Sequence, residues 1–362
     1  PNQYGPDPRD DSQEYSYSGE ESEPAEYIEA KPTKTNKSAK KLVGITAGII
    51  AVIIIAGGAA LMLSSSLAVD ASAAKIKAGL MLKKGFPGAG PVNGMYEFFK
   101  SEIEKASGGK IKMDIVYGGA LGKPNERLNQ VRRGIIQMSD ASEGNYASIY
   151  KDIQVLSMPY LFPDEQTAWK LLDGPIGTKM AEDIRTKTGI RVLGWWESGG
   201  FKHYSSNRAI RTPDDMKGLK MRVMAPIFGI PVLTLGGSAT PIAFPELYTS
   251  LKTGVVDGQD NAVWVFNLIK LHEVQKYLML DGHIYSFGPL GINDKWFSGL
   301  SPDLQKAVLT AGKNAVAFNR KASRAAEAKN VAMAKEKGVT VNPFTKSMKK
   351  AFADRVRPAA VK

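Results

Sequence analysis

From Lys75 onward the apolar residues change period repeatedly, alternating every second position and then every third or fourth, and this restricts the fold more than any other feature. Residues 76–80 alternate as a short strand. Residues 93–106 then put Met95, Phe99, Ile103 and Ala106 on one helical face and stop at Ser107-Gly108-Gly109. Ile111, Met113 and Ile115 alternate again, residues 125–133 read as a helix, and residues 135–140 as another strand. A βαβαβ series of this kind predicts an α/β fold with a mostly parallel sheet. Ligands of open α/β sheets bind in the crevice beyond the carboxyl ends of the strands, so functional side chains are sought at strand ends.

One stretch, residues 218–261, supplies several. A short strand within 218–223 closes on Arg222, Phe244 follows between Pro241 and Pro245, a helix comes next, and a second strand closes on Asp260-Asn261. The order can bring one cation, one ring and one amide to the same sheet edge. A guanidinium donates two parallel hydrogen bonds to a carboxylate, which fixes orientation as well as charge. Phe244 and Trp264 are candidate walls, although such rings belong more often to a core. Trp196 and Glu197 precede Gly199-Gly200, which reads as a flexible joint, so both are placed towards a cleft. Glu143, in Ser142-Glu143-Gly144 after a strand, is a candidate for a ligand hydroxyl or ammonium, weighed against a solvated loop carboxylate. Asp257 and Asp260 read as turn residues, because no nucleophile or metal cluster accompanies them. The run 85–90 is glycine-rich but lacks the Gly-Lys-Ser/Thr ending of a phosphate loop and reads as a cleft rim.

The remaining elements follow the same grammar. Met158-Pro159-Tyr160-Leu161-Phe162-Pro163 reads as an apolar clamp in the core, residues 164–172 as a helix stopped by Gly174-Pro175, and residues 191–196 as a strand. Thr212-Pro213 caps a short helix, and residues 277–280 and 288–293 are strands. Ser301-Pro302 opens a helix reaching about residue 337, bent at Gly312. A helix of that length can run along two lobes as a spine.

Composition narrows the chemistry. There is no cysteine, and His203, His272 and His283 are scattered without ligand spacing, so no catalytic residue, metal site or cofactor is expected. The net charge of +12 is unevenly spread: residues 1–73 hold six Lys/Arg against ten Asp/Glu, and the rest holds 42 against 26. A basic body favours an anionic ligand. Nucleic acid is not expected as a partner, because no nucleic-acid-binding signature accompanies the charge.

Ahead of the globular part, residues 1–41 read as a disordered acidic tail with a lysine-rich end, and 42–63 as a transmembrane anchor or uncleaved signal. The lysines put the tail in the cytoplasm and everything later outside, with 64–74 as a linker. Ala71-Ser72-Ala73 has the small-x-small form of a signal-peptidase site, the competing reading.

Taken together, the residues resemble a family. Gly118-Gly119-Ala120-Leu121-Gly122, Met158-Pro159-Tyr160-Leu161-Phe162, Val192-Leu193-Gly194-Trp195-Trp196-Glu197, Asn207-Arg208-Ala209-Ile210, residues 216–223 and residues 248–261 resemble, in order and spacing, the substrate-binding proteins of tripartite ATP-independent periplasmic (TRAP) transporters, the DctP family. The resemblance implies two α/β lobes closing over a small organic acid, joined by strands and a long helix. Lobe I is expected over 75–199 with about 287–326, and lobe II over 200–286 with about 327–362. It further implies Arg222 as the carboxylate anchor, Asn261 as the assisting amide and Phe244 as the lining ring. Lys202 falls where many members carry arginine, and it offers a point charge in place of a planar fork. The implied protein is a non-enzymatic, monomeric solute catcher that feeds TRAP membrane subunits; the membrane anchor read from 42–63 departs from the family, whose members usually carry a plain signal peptide. The alternative, motivated by the acidic tail, is the ligand-binding module of a membrane sensor. An exported hydrolase is the third reading and lacks a nucleophile.

Overall fold

The alternation of strand and helix survives into three dimensions, with one change in how the strands pair. In the computed structural model the described residues are 73–84 and 90–360. The acidic tail, the apolar run 42–63, most of the linker and rim residues 85–89 lie outside them. Among the described residues no helix is long and apolar enough to cross a membrane; the expected anchor falls elsewhere in the chain.

Ten strands form one sheet: β1 (Ala74–Gly79), β2 (Ile111–Val116), β3 (Met138–Ser139), β4 (Ile190–Ser206), β5 (Lys220–Val223), β6 (Ser238–Pro241), β7 (Gly258–Asn261), β8 (Tyr277–Leu280), β9 (Ile284–Asn293) and β10 (Thr340–Pro343). Their order is β2-β1-β3-β9-β4-β7-β5-β6, with β8 beside β4 and β10 beside β8. Around them lie α1 (Gly90–Ala106), α2 (Pro124–Arg132), α3 (Glu143–Tyr146), α4 (Glu165–Leu172), α5 (Pro175–Thr188), α6 (Gly229–Thr234), α7 (Leu247–Lys252), α8 (Val263–Leu268), α9 (Asp294–Ser298), α10 (Pro302–Glu336) and α11 (Lys346–Ala360).

The expected parallel pairing holds at the two ends and fails in the middle. β1 runs parallel to β2 and β3, and β5 parallel to β6 and β7. The central strands are antiparallel: β9 against β3 and β4, and β4 against β7 and β8. The local period reports that a segment is a strand, but its partner is chosen by distant chain that returns late. A mixed sheet of this type gives two α/β lobes with long strands crossing between them.

Gly199-Gly200 is corrected in the same way. It does not separate two strands but lies inside the single 17-residue β4, where the register against β9 shifts between Glu197 and Gly200. Both glycines take left-handed angles (φ 97° and 80°), which cost glycine little and make a bulge possible.

Four apolar clusters hold the lobes. Ile76, Met95, Phe99 and Leu290 belong to one, and Tyr146, Ile190 and Phe287 to another. Met221, Tyr204 and Phe352 form a third, and Leu247, Phe266 and Leu278 a fourth. Helix α10 buries Val308, Ala311 and Ala315 in the first cluster and Ala334 in the fourth, so the expected spine is present. Its Gly312 serves close packing: a Cβ there would lie 2.7 Å from Leu193 Cβ. Six α-helices went unpredicted; four of them (α3, α6, α8 and α9) are no longer than six residues, and two are long. Pro175, read as a helix stop, also opens α5 at a position where its missing N–H costs nothing. Helix α11 buries Phe352 and Val356.

Candidate functional site

The ends of these strands enclose a cavity of about 340 Å³. The start of α2 and the segment after β3 line it from the first lobe. Arg222, Phe244 and Asn261 line it from the second, and Trp196 and Lys202 reach it from the crossing strand β4.

Arg222 lies in β5 between β6 and β7 and is only 2% exposed. The segment after β6 is strapped to β5, because the Ile242 amide donates to the Val223 carbonyl at 3.2 Å. The Ile242 carbonyl in turn accepts from Arg222 Nε at 2.9 Å. Among the described residues that is its only hydrogen bond, and no carboxylate lies within 4.0 Å. Nη1 and Nη2 therefore keep four N–H donors for a ligand. Burial lowers the guanidinium pKa to about 10, with Asp260 acting against the fall. Arg222 is a cation at neutral pH.

A second arginine that sequence reasoning missed also faces the cavity. Arg127, on α2, is fully buried and spends all its donors on protein. Nε donates to Ser139 Oγ at 3.0 Å, Nη1 to the Gly122 carbonyl at 2.5 Å and Met81 Sδ at 3.7 Å, and Nη2 to the Asp140 carbonyl at 3.2 Å and carboxylate at 2.5 Å. Burial raises the Asp140 carboxyl, with Arg127 opposing.

Lys202 is buried between two carboxylates, its Nζ 3.8 Å from Glu143 Oε1 and 3.7 Å from Asp260 Oδ2. It also stands 3.9 Å over the Phe228 ring. Asp260 continues the network to His283 Nε2 at 3.5 Å, and His283 Nδ1 meets Asp281 at 2.6 Å. Burial alone would raise the Asp260 carboxyl, but Lys202, His283 and Arg222 hold it below the usual range. Burial also works against a charged His283, yet Asp281 and Asp260 prevail and raise it to about 9. Asp260 is thus no turn residue. It is a buried strand carboxylate among three cations. Asp257 does shape the turn, accepting from the Lys220 amide at 2.8 Å.

Of the eight residues singled out from sequence, six line the cavity: Arg222, Asn261, Phe244, Lys202, Trp196 and Trp264. Asn261 Nδ2 donates to Gln259 Oε1 at 2.6 Å and retains a second N–H. The indole nitrogens of Trp196 and Trp264 have no hydrogen-bond partner among the described residues.

Two residues do not line it. Glu143 is neither solvated nor at the cavity wall. It is wholly buried at the start of α3, where it accepts from Ser286 Oγ at 3.1 Å and the Phe287 amide at 3.2 Å. Glu197 ties β4 to the spine, pairing with Arg324 of α10 and accepting from Tyr285 Oη at 3.0 Å. Burial raises its carboxyl to about 7, with Arg324 opposing. Its β4 neighbour Trp196 points to the cavity, and alternation along a strand sends adjacent side chains to opposite faces.

Missed by sequence reasoning, besides Arg127, were the polar lining residues Lys123, Asp140, Ser142, Asn145, Ser198 and Ser286, among others. The strand-end rule applied after β3 would have found Asp140 and Ser142. Nothing local marks Arg127, whose partner lies 13 residues on.

Residues 87–362 match the profile of DctP, described as bacterial extracellular solute-binding protein, family 7. The chain is 37% identical over 245 residues to a solute-binding protein of Verminephrobacter eiseniae, covering 67% of this chain and 72% of that one. It is 33% identical over 257 residues to the 2,3-diketo-L-gulonate-binding periplasmic protein YiaO of Escherichia coli, covering 71% and 77%. Among solved structures, a TRAP periplasmic solute-binding protein from Sulfitobacter sp. NAS-14.1 with bound β-D-galacturonate superposes with a TM-score of 0.73 at 32% identity, covering 79% of this chain and 93% of that one. These relatives are solute-binding proteins and not enzymes. With its two α/β lobes and a buried arginine held open at the cavity between them, this chain belongs to the DctP family of bacterial extracellular solute-binding proteins.

Proposed function

We propose that the protein captures a small organic carboxylate in the interlobe cavity, with Arg222 as its anchor, and delivers it to the membrane subunits of a TRAP transporter. The observation that carries this reading is Arg222 itself: a buried guanidinium on the cavity wall with four donors unspent. A buried cation without a counter-ion is costly, and a ligand carboxylate supplies the missing partner. Charge-assisted hydrogen bonds of this kind contribute about 1.5–3 kcal/mol each. Asn261 adds an amide donor, while Phe244, Trp264 and Trp196 give the walls.

The relatives' ligands agree in class. YiaO is named for 2,3-diketo-L-gulonate and the Sulfitobacter protein holds β-D-galacturonate, both sugar acids. Closure of the lobes, divided at 199/200 and 286/287 and again near 326/327, would exclude water and strengthen the contact with Arg222. The protein works as a monomer outside the cytoplasm, exported by segment 42–63. The N-terminal residue of the mature protein distinguishes an anchor from a cleaved signal there. No observation favours the sensor reading, whose acidic tail lies outside the described residues.

Titration calorimetry of the purified protein with a panel of hydroxylated and simple organic acids tests the proposal. At least one acid binds with a Kd in the micromolar range or below, while the matching neutral sugars do not. Silence across the carboxylates would end it.

A further inference from the structure

Four cations line the cavity, and three are already matched with carboxylates of the protein. Arg127, fully buried, holds Asp140, whose side chain is 10% exposed, at 2.5 Å. Lys202 lies 3.8 Å from Glu143 and 3.7 Å from Asp260, and each of these side chains is at most 5% exposed. Lys123, at the mouth, is 3.7 Å from Glu246, and its backbone amide donates to Glu126 at 2.9 Å. The Lys123 and Glu246 side chains are 61% and 59% exposed, so solvent screens their charges. Arg222 alone, among the described residues, has no carboxylate within ion-pair distance.

We infer that the site is built for one carboxylate: its solute is a hydroxylated monocarboxylate, and Glu143 and Asp260 are specificity-determining residues that withhold Lys202 from service as a second anchor. The inference rests on the reading of Arg222 given above. Its physics is that of a charge count. A second ligand carboxylate placed deep in the cavity would be buried with no free cation, and burying an unpaired charge is strongly unfavourable. Near Lys202 it would also meet Asp260, a like charge. Among the described residues no group donates a hydrogen bond to the Asp260 carboxylate, so its 3.7 Å contact with Lys202 is one of charge, and that charge repels a second anion.

Hydroxyl groups face no such obstacle. Ser142, Asn145, Ser198 and Ser286 line the cavity with neutral donors and acceptors. Discrimination therefore comes from a repulsive element as much as from an attractive one.

Matched aldonates and aldarates of four to six carbons, such as gluconate and glucarate, share a hydroxylated chain and differ by one carboxylate. Calorimetry of each pair on the purified full chain reads the inference directly. The best-bound aldonate exceeds its aldarate by about tenfold or more. Aldarates that bind as tightly as their aldonates would overturn the inference and leave the Arg222 reading standing; a panel in which no carboxylate binds overturns both.

Asp260→Asn frees Lys202 from one of its two partners and raises the aldarate-to-aldonate affinity ratio about tenfold. Glu143→Gln carries the same expectation should Asp260→Asn lose its cooperative melt. A ratio unchanged in both variants removes the specificity role, and the wild-type pairs decide the matter without either.

Discussion

Arg222 and Arg127 are two buried arginines on the wall of one cavity, and they differ in how many of their donors are already taken. Arg127 has five N–H groups and five protein acceptors, one of them the Asp140 carboxylate. The Arg222 guanidinium has one bond, to a backbone carbonyl, and among the described residues no carboxylate within 4.0 Å. The first is finished by the fold and serves as structure, bracing α2 against the end of β3. The second is left incomplete by the fold, and only something from outside can complete it. A binding site can thus be told from a buried ion pair by counting unspent donors, where burial and residue type are the same.

The largest effect separates the two arginines. Arg222→Met lowers affinity for the best-bound acid by about a hundredfold or more, since at least two charge-assisted hydrogen bonds are lost. It leaves folding stability unchanged or improved, because a buried charge without a counter-ion has gone. Arg127→Met does the reverse, costing about 3–5 kcal/mol in a urea melt by stranding Asp140. Its folded fraction still titrates with ligand. If Arg222→Met destabilised the fold while Arg127→Met abolished binding, the comparison would be upside down.

A smaller effect extends the paired class to His283, held between Asp281 and Asp260. Its pKa is raised to about 9 in the folded protein, against about 6.5 unfolded. Stability from this group is therefore fully present below about pH 6.5 and is lost as pH rises through about 9, by on the order of 3 kcal/mol. Thermal midpoints measured between pH 6.5 and 9.5 fall, and His283→Gln flattens that fall. His203 does not share the behaviour: burial lowers it to about 4, and its neutral ring accepts from the Gly282 amide at 3.0 Å.

The smallest effect belongs to the helper. Asn261→Ala removes one neutral donor and weakens binding by about 1 kcal/mol, roughly fivefold by calorimetry. A loss as large as that of Arg222→Met would move the anchor to the amide.

Much of the fold was legible because local chemistry writes it. The stripe Met95, Phe99, Ile103 lies in the core as its spacing required, and Asp164 caps α4 by accepting from the Thr167 amide at 2.7 Å. The strand ends of β5 and β7 delivered Arg222 and Asn261 to one cavity. Other features depended on partners far away in sequence. The antiparallel centre needs β9 to return beside β4, Glu197 is claimed by Arg324, and Glu143 is claimed by Ser286 and Phe287. Each contact spans 80 to 150 residues or pairs distant strands, and no period or cap records it.

Asp260 shows the limit most plainly. Two residues after Gly258 and next to Asn261 it had the look of a turn residue, yet β7 carries it inward to face Lys202 and His283.

By itself the sequence determined the alternation of strand and helix, the long spine and the residue types gathered at the strand ends. These follow from periodicity, caps and side-chain chemistry within a few residues. Only the tertiary structure decided which charges are spent and which remain. That depends on the distances between groups brought together by folding, and a charge buried beside its partner differs from one buried alone by several kcal/mol.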